Sequence, residues 1–128
     1  MRKVIETSKA PKAIGPYAQA IKTEDLIFTS GQISIDPQSN EFIDGSIEEQ
    51  TENVIKNLTA VLGEAGTSLK SVLKTTVYLS DMKDFSRMNE VYGKYFKEFP
   101  CARSTVQVAA LPKGAKVEID IIALCKKE

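Results

Sequence analysis

The sequence predicts an α+β domain of two layers, in which a mixed six-stranded sheet carries two helices on one of its faces. Two stretches repeat apolar residues at helical spacing on one side only, which indicates helices that lie on a sheet. The other apolar stretches are short and rich in β-branched residues, and turn-forming residues bound them, as is typical of strands. A chain of 128 residues has the size of one domain, so we assign residues 1–128 to a single domain.

The amino-terminal part of the chain contains a loop and two strands. Two prolines and a glycine within residues 10–17 exclude a regular element there. Residues 18–22 and 26–30 are predicted to be strands on either side of a Thr-Glu-Asp turn, and Gly31 ends the second one.

The first helix has recognisable signals at both ends. Ser46 and Glu49 have the spacing of a capping box, and Gly66 stands just past the last apolar position. One side of this helix is apolar and is therefore predicted to face the sheet. The residues on that side are Ile47, Thr51, Val54, Ile55, Leu58, Val61, Leu62 and Ala65.

A strand over residues 72–79 precedes the second helix. This helix begins at Asp81 or Asp84 and ends before Pro100. It has a largely aromatic stripe, which we interpret as core packing and not as a platform for stacking bases. The stripe consists of Phe85, Met88, Tyr92, Tyr95, Phe96 and Phe99.

The final predicted strand, residues 117–124, indicates how the sheet is covered. On one side its alternate residues are all apolar, whereas on the other side Glu118 and Asp120 are followed by Ile122 and Leu124. Half of the uncovered sheet face is therefore too apolar for water. We predict a homo-oligomer in which sheet faces pack together.

Residues 104–109 form the preceding strand and complete the element order ββαβαββ. In a hairpin of the last two strands, Gln107 lies opposite Glu118, and Arg103 lies opposite about Ile122. Arg103 and Glu118 then share the uncovered face, on the order of 13 Å apart at ~3.3 Å per residue. This separation is too large for an ion pair within one chain, so we hypothesise a site shared between protomers.

The composition argues against several classes of function. Lysine plus arginine equals aspartate plus glutamate at 17 each, so we expect no nucleic acid as the main partner. No apolar run is long enough to span a bilayer, and the amino terminus lacks the apolar core of a signal peptide. Two cysteines and no histidine provide too few ligands for a zinc or iron site, so no metal is expected. These features predict a reduced, cytoplasmic protein without a membrane partner.

Arg103 is the most informative single residue. Its guanidinium stays charged and presents a planar fork of donors, so at the start of a strand it needs a partner. A small carboxylate ligand would fit that fork, and a structural ion pair is the alternative. Because the chain has no histidine, proton chemistry at neutral pH depends on carboxylates, tyrosine, backbone groups or water.

Several motifs resemble those of a known family. They are residues 13–17, 29–32, 50–58, 74–77 and 84–85, together with Ala102-Arg103-Ser104 followed at the family's spacing by Val117-Glu118-Ile119. On these motifs the chain resembles the Rid (YjgF) family of enamine/imine deaminases, in particular the RidA type, over nearly its whole length.

The resemblance implies a chorismate-mutase-like fold and a homotrimer with three clefts between subunits. It implies hydrolysis of 2-imino acids such as 2-iminopropanoate and 2-iminobutanoate, which arise from pyridoxal-phosphate enzymes, to 2-keto acids and ammonia. It also implies that the deaminase itself has no cofactor. Two alternatives stay open, namely an endoribonuclease or translation inhibitor and a non-catalytic small-molecule sensor that uses the same cleft.

The resemblance also implies roles for the matching residues. Arg103 matches the arginine that holds the substrate carboxylate, and Glu118 matches the acid that orients or activates the attacking water. Thr105 occupies a position at which many relatives have cysteine. The implied substrate-binding residues are Tyr17, Ser30, Gly31, Asn89, Arg103 and Thr105.

Overall fold

The computed structural model describes residues 1–125 and has the predicted two helices and six-stranded sheet, whose first strand is absent from the predicted element order ββαβαββ. The strands are β1 (Lys3–Ile5), β2 (Ala20–Lys22), β3 (Leu26–Thr29), β4 (Val72–Leu79), β5 (Ala102–Gln107) and β6 (Val117–Leu124). The helices are α1 (Ile47–Glu64) and α2 (Phe85–Phe96). The last three residues of the predicted domain lie outside the described part of the chain.

All six strands belong to one mixed sheet, in the order β1-β2-β3-β6-β4-β5. The pair β4 and β5 is parallel, and the other neighbouring pairs are antiparallel. Both helices contribute buried residues to one core with the inward side chains of β4 and β6. The predicted two-layer α+β architecture is therefore confirmed.

Strand β1 is the element that the sequence patterns did not predict. It has three residues, of which only Ile5 is buried. A run this short has no alternation that could distinguish a strand from a loop.

The hairpin predicted between the last two strands is wrong. Strand β6 lies between β3 and β4, and β5 is an edge strand that pairs with β4. Helix α2 connects β4 to β5, and a helical crossover returns the chain parallel to the strand that it left. The other side of β4 is then the place that remains for β6.

This topology also corrects the face predicted for Arg103. Arg103 is the register partner of Thr75 on β4, and Thr75 is buried on the helix side against Tyr92. Because register partners point to the same side of a sheet, Arg103 and Thr105 lie on the helix face. Glu118 lies on the opposite, open face, between the buried neighbours that face the helices.

The helix ends follow the local signals closely. The Ser46 hydroxyl accepts a hydrogen bond from the Glu49 backbone, and the Glu49 carboxylate accepts one from the Ser46 backbone, so the capping box is confirmed. Asp81 caps the short 3₁₀ turn before α2, whereas Asp84 takes the N-cap position without a side-chain bond. Neither helix in residues 1–125 is long and apolar enough to cross a membrane.

The open face of the sheet carries apolar side chains that remain accessible in the single chain. Phe28 is 42% exposed, Leu124 and Val106 are also exposed, and Ile122 lies half-buried between β3 and β4. The predicted apolar character of this face is therefore present in the fold.

Candidate functional site

Arg103 lies near the start of the edge strand β5, with its guanidinium against α2. Its Nη1 donates a hydrogen bond of 2.7 Å to Oδ1 of Asn89. The guanidinium carbon is 4.7 Å from the ring centroid of Tyr92 and 5.4 Å from that of Phe85. None of the ion pairs within residues 1–125 includes Arg103. Its remaining donors are therefore available to an anionic ligand.

A groove of about 490 Å³ lies beside this guanidinium. Its wall is apolar at Phe96 and Pro100 and carries positive charge at Arg103 and Lys97. A small molecule with one carboxylate and a short apolar body matches that chemistry.

Thr105 follows Arg103 by two residues on the same side of β5. Its hydroxyl oxygen is buried and has no hydrogen-bond partner among the residues that the structure describes. A buried hydroxyl without a partner is unfavourable, so a bound molecule or water would stabilise it.

Glu118 is half-buried on the open face, directly beside Gly31. A Cβ atom at Gly31 would collide with the Glu118 carboxylate, so this position has room only for glycine while the carboxylate stays where it is. The adjacent residues Gln32 and Ile119 exchange backbone hydrogen bonds of 2.9 and 3.2 Å. These bonds hold the segment after β3 against β6.

A second carboxylate shares the open face with Glu118. Burial, and then the charge of Asp120, raise the pKa of Glu118 above its usual value of 4.5. Burial also raises the pKa of Asp120, against the opposing effects of a 3.2 Å hydrogen bond from Tyr78 and of the Lys74 charge. A carboxyl whose pKa is raised is better matched to proton transfer near neutral pH.

Within residues 1–125 no three cysteine or acidic side chains come together to hold a metal ion.

Tyr17 and Ser30 belong to the loop region beside β3. The Ser30 hydroxyl donates to the carbonyl of Ala18 at 2.6 Å, and the Ser30 backbone donates to that of Gln19 at 2.9 Å. The buried Gln19 side chain, which the sequence patterns did not single out, bonds the backbone of residues 7–11. Tyr17 is 56% exposed. It lines a cavity of about 680 Å³ that includes neither Arg103 nor Glu118.

The candidate residues form two groups within one chain. The clamp group is Asn89, Arg103 and Thr105, and the carboxylate group is Ser30, Gly31 and Glu118, whereas Tyr17 lines a separate cavity. Arg103 of β5 pairs with Thr75 of β4. Glu118 of β6 pairs with Tyr78, which lies three residues further along β4. The groups are therefore about 10 Å apart along the strands and about 10 Å apart across them, on opposite faces. One small molecule cannot touch both groups of the same chain.

Tyr92, which the sequence pattern assigns to core packing alone, is also part of the clamp's surroundings. The Arg103 guanidinium lies over its ring. The sequence does contain one signal for this contact. Tyr92 follows Asn89 by three residues on the same helix, so the two side chains lie on neighbouring turns of one side.

The chain is similar to proteins of one family along nearly its whole length. Residues 7–125 match the family described as Endoribonuclease L-PSP. The chain is 54% identical over 122 residues to a RutC family protein of Pyrococcus abyssi, covering 95% of this chain and 96% of that protein. It is 48% identical over 124 residues to the 2-iminobutanoate/2-iminopropanoate deaminase of Mus musculus, covering 97% of this chain and 92% of that protein.

A solved structure of this kind contains a small ligand. The crystal structure of E. coli TdcF with bound serine matches with a TM-score of 0.89 at 42% identity, covering 95% of this chain and 98% of that one. The fold predicted from the sequence is therefore found in experimental structures of similar proteins.

Proposed function

Because the chain belongs to the Endoribonuclease L-PSP family, which contains the RutC and Rid proteins, we propose that it is a 2-iminobutanoate/2-iminopropanoate deaminase. The reaction adds water to the C=N bond of a 2-imino acid and releases a 2-keto acid and ammonia. Relatives between 46% and 49% identical are named as deaminases of this kind. The chain is accordingly an enzyme that acts on C–N bonds.

The observation that carries the proposal is the state of the Arg103 guanidinium. One donor is bonded to Asn89, two aromatic rings contact the group, and no acidic residue among residues 1–125 pairs with it. An arginine held in this way fits a substrate carboxylate by two parallel hydrogen bonds. Arg103 is thus proposed to fix the imino acid, and Asn89 to orient Arg103 while it lies beside the bound substrate.

Glu118 is proposed to activate the water. Its carboxylate accepts a proton from the water as the oxygen attacks the imine carbon, and it passes that proton to the imine nitrogen, which gives a carbinolamine. Glu118 then takes the proton of the new hydroxyl group and gives it to the amine nitrogen, so that the C=O bond forms, the C–N bond breaks and ammonia leaves. The raised pKa of Glu118 favours both transfers, because the carboxyl gains and loses its proton nearer to neutral pH. The imine carbon is already electrophilic, so placing water and substrate in contact supplies much of the rate enhancement.

The other candidate residues are proposed to complete the pocket. The Gly31 backbone gives the Glu118 carboxylate its space, and Ser30 fixes the end of β3 beside it. Tyr17 is proposed to contact the substrate from the loop, and Thr105 to offer its unpaired hydroxyl next to Arg103.

We also propose a homotrimer whose sites lie between subunits. The clamp group and the carboxylate group are too far apart in one chain for a single substrate, and the edge strand β5 of one copy can approach the open face of another. The exposed apolar residues Phe28, Val106 and Leu124 on that face favour burial against a second copy. The number of three subunits rests on the resemblance alone.

A coupled assay tests the proposed reaction. A pyridoxal-phosphate dehydratase acting on threonine generates the imine, and formation of the 2-keto acid is followed with and without the protein. We expect acceleration over spontaneous hydrolysis, and about 10- to 100-fold lower kcat/KM in Arg103→Ala because a charge-assisted contact is lost. Arg87→Ala, on the exposed side of α2, is the matched control and should keep its activity. No acceleration by the wild type would contradict the deaminase function.

Two observations favour other functions. The description of the family names an endoribonuclease. The crystal structure of TdcF contains bound serine, and binding of a small molecule is what a sensor requires. Cleavage of RNA by the purified protein, lost in Glu118→Gln, would support the first. Binding of a keto acid without acceleration of imine hydrolysis would support the second.

A further inference from the structure

The ring of Tyr92 lies under the Arg103 guanidinium, and its hydroxyl is bonded to the sheet. The guanidinium carbon is 4.7 Å from the ring centroid, and Tyr92 is 7% exposed. Building on the proposed function, in which Arg103 binds the substrate carboxylate, we propose that Tyr92 is a positioning residue that fixes the direction of the guanidinium. Tyr92 then acts on the substrate through Arg103.

The contact with Tyr92 leaves the hydrogen-bond donors of Arg103 free. A cation over an aromatic ring is attracted by the ring face, whereas the N–H donors of a guanidinium lie in its plane, around its edge. Asn89 takes one of these donors at 2.7 Å. The ring and the amide together restrict the guanidinium without filling the edge that a carboxylate needs for two hydrogen bonds.

The hydroxyl of Tyr92 fixes the ring relative to the sheet. It lies 2.8 Å from Oγ1 of Thr75, which is fully buried on β4 and is the register partner of Arg103. The sulfur of Cys101 lies 3.6 Å from the same hydroxyl. Helix α2 is thus bonded to the sheet at the level where Arg103 leaves β5.

Two further properties keep this arrangement constant. The ring of Phe96 stacks on that of Tyr92 with centroids 4.3 Å apart and planes 23° apart. Burial raises the pKa of Tyr92 to about 12. The hydroxyl therefore stays neutral at working pH, and it orients the ring by hydrogen bonding and not by charge.

A double-mutant cycle separates positioning from core packing. Binding of 2-oxobutanoate, a stable keto acid, is measured by calorimetry for the wild type, Tyr92→Leu, Arg103→Ala and the double variant. We expect Tyr92→Leu to weaken binding about fivefold, because the cation–π contact is lost. In the Arg103→Ala background the same substitution should have no further effect, since Tyr92 acts through Arg103. Tyr92→Phe keeps the ring but loses the hydroxyl bond that orients it, so it should weaken binding by less than Tyr92→Leu does.

Tyr95→Leu is the matched control for these variants. Tyr95 lies on the same helix, packs against the core and belongs to neither residue group of the proposed site. It should lower thermal stability and leave keto acid binding unchanged. If Tyr92→Leu does not fold by circular dichroism, Tyr92→Met takes its place in the cycle.

The outcomes distinguish the two proposals. Equal weakening by Tyr92→Leu with and without Arg103, or no weakening at all, overturns the positioning role. Coupled binding effects in a protein that does not accelerate imine hydrolysis support the positioning role and overturn the deaminase function. Absence of any binding that depends on Arg103 overturns both.

Discussion

At the scale of single residues, the role proposed for Glu118 and the stability of the fold make opposite demands on its carboxyl group. The carboxyl is half-buried next to Asp120, and both effects disfavour its charged form. A carboxyl whose pKa is raised by folding destabilises the folded state above that pKa, where it must be charged. The same raised pKa favours proton transfer in the proposed reaction.

We predict that Glu118→Gln raises thermal stability at pH 7 while it lowers kcat by about 100-fold or more. The gain should disappear as the pH falls below the usual value of 4.5, because Glu118 is then protonated in both the folded and the unfolded chain. Thermal unfolding across pH 3–8 measures the first effect and the coupled assay the second. A stability gain that is constant with pH would show that charge burial is not its cause.

A substitution at Gly31 tests whether the position of the Glu118 carboxylate matters for activity. Gly31→Ala introduces a methyl group where the Glu118 carboxylate lies, and the flexible end of that side chain must move. We expect about tenfold or greater loss of kcat, because a displacement on the order of 1 Å is costly in catalysis. The free energy of unfolding should change little.

Gly63→Ala is the matched glycine substitution. A Cβ atom there has no neighbour within 4 Å, and the residue lies inside α1. It should raise the free energy of unfolding by about 0.5–1 kcal/mol and leave activity unchanged. Equal activity loss in both variants would contradict a specific effect of Gly31 on Glu118.

At the scale of elements, the unit β4-α2-β5 determines where the clamp group points. Helix α2 supplies Asn89 and Tyr92, β4 supplies Thr75, and β5 supplies Arg103. These side chains meet because a crossover helix packs over the two parallel strands that it connects. The environment of Arg103 is therefore complete within one chain, although the proposed site is not.

Helix α1 contributes to stability and supplies no residue to either residue group of the proposed site. Replacing Ser46 by alanine removes its capping bond to Glu49 and should lower the free energy of unfolding by about 1 kcal/mol. Urea unfolding measures this loss, and kcat/KM should not change. Ser46→Asp keeps an N-cap acceptor and should retain most of the stability. Equal loss in both variants would contradict a role for the cap.

At the scale of the whole molecule, the separation of the two residue groups leads to a prediction about oligomers that contain two different variants. Alone, Arg103→Ala should lose about 10- to 100-fold and Glu118→Gln about 100-fold or more of the wild-type activity. Refolded together, they should regain about one quarter of the wild-type sites, because a site with Arg103 from one variant and Glu118 from the other is intact. Activity is measured in the coupled assay, and light scattering of the same sample gives the number of subunits.

A mixture of correctly assembled chains that is no more active than the separate variants would contradict a site shared between subunits. Wild type refolded together with Arg103→Ala is the control for activity that is lost during refolding. The homotrimer, the single domain and the cytoplasmic location stay predictions.

The sequence by itself determined the local elements and the candidate residues. Both helices and five of the six strands follow from spacing, caps and turn residues, because these signals come from neighbours along the chain. Arg103 and Glu118 stand out by their chemistry and by the motifs that contain them. The alternation in β6 also predicted which of its faces is apolar.

Only the tertiary structure decided which strands are neighbours and which way Arg103 points. The edge strand β5 is partly exposed on both faces, so its residue pattern contains no signal for the face that meets the helices. That face follows from pairing with β4, which the α2 crossover imposes across a long stretch of sequence. The guanidinium therefore meets Tyr92 and Asn89 on the helix side, and the Glu118 carboxylate lies on the open face.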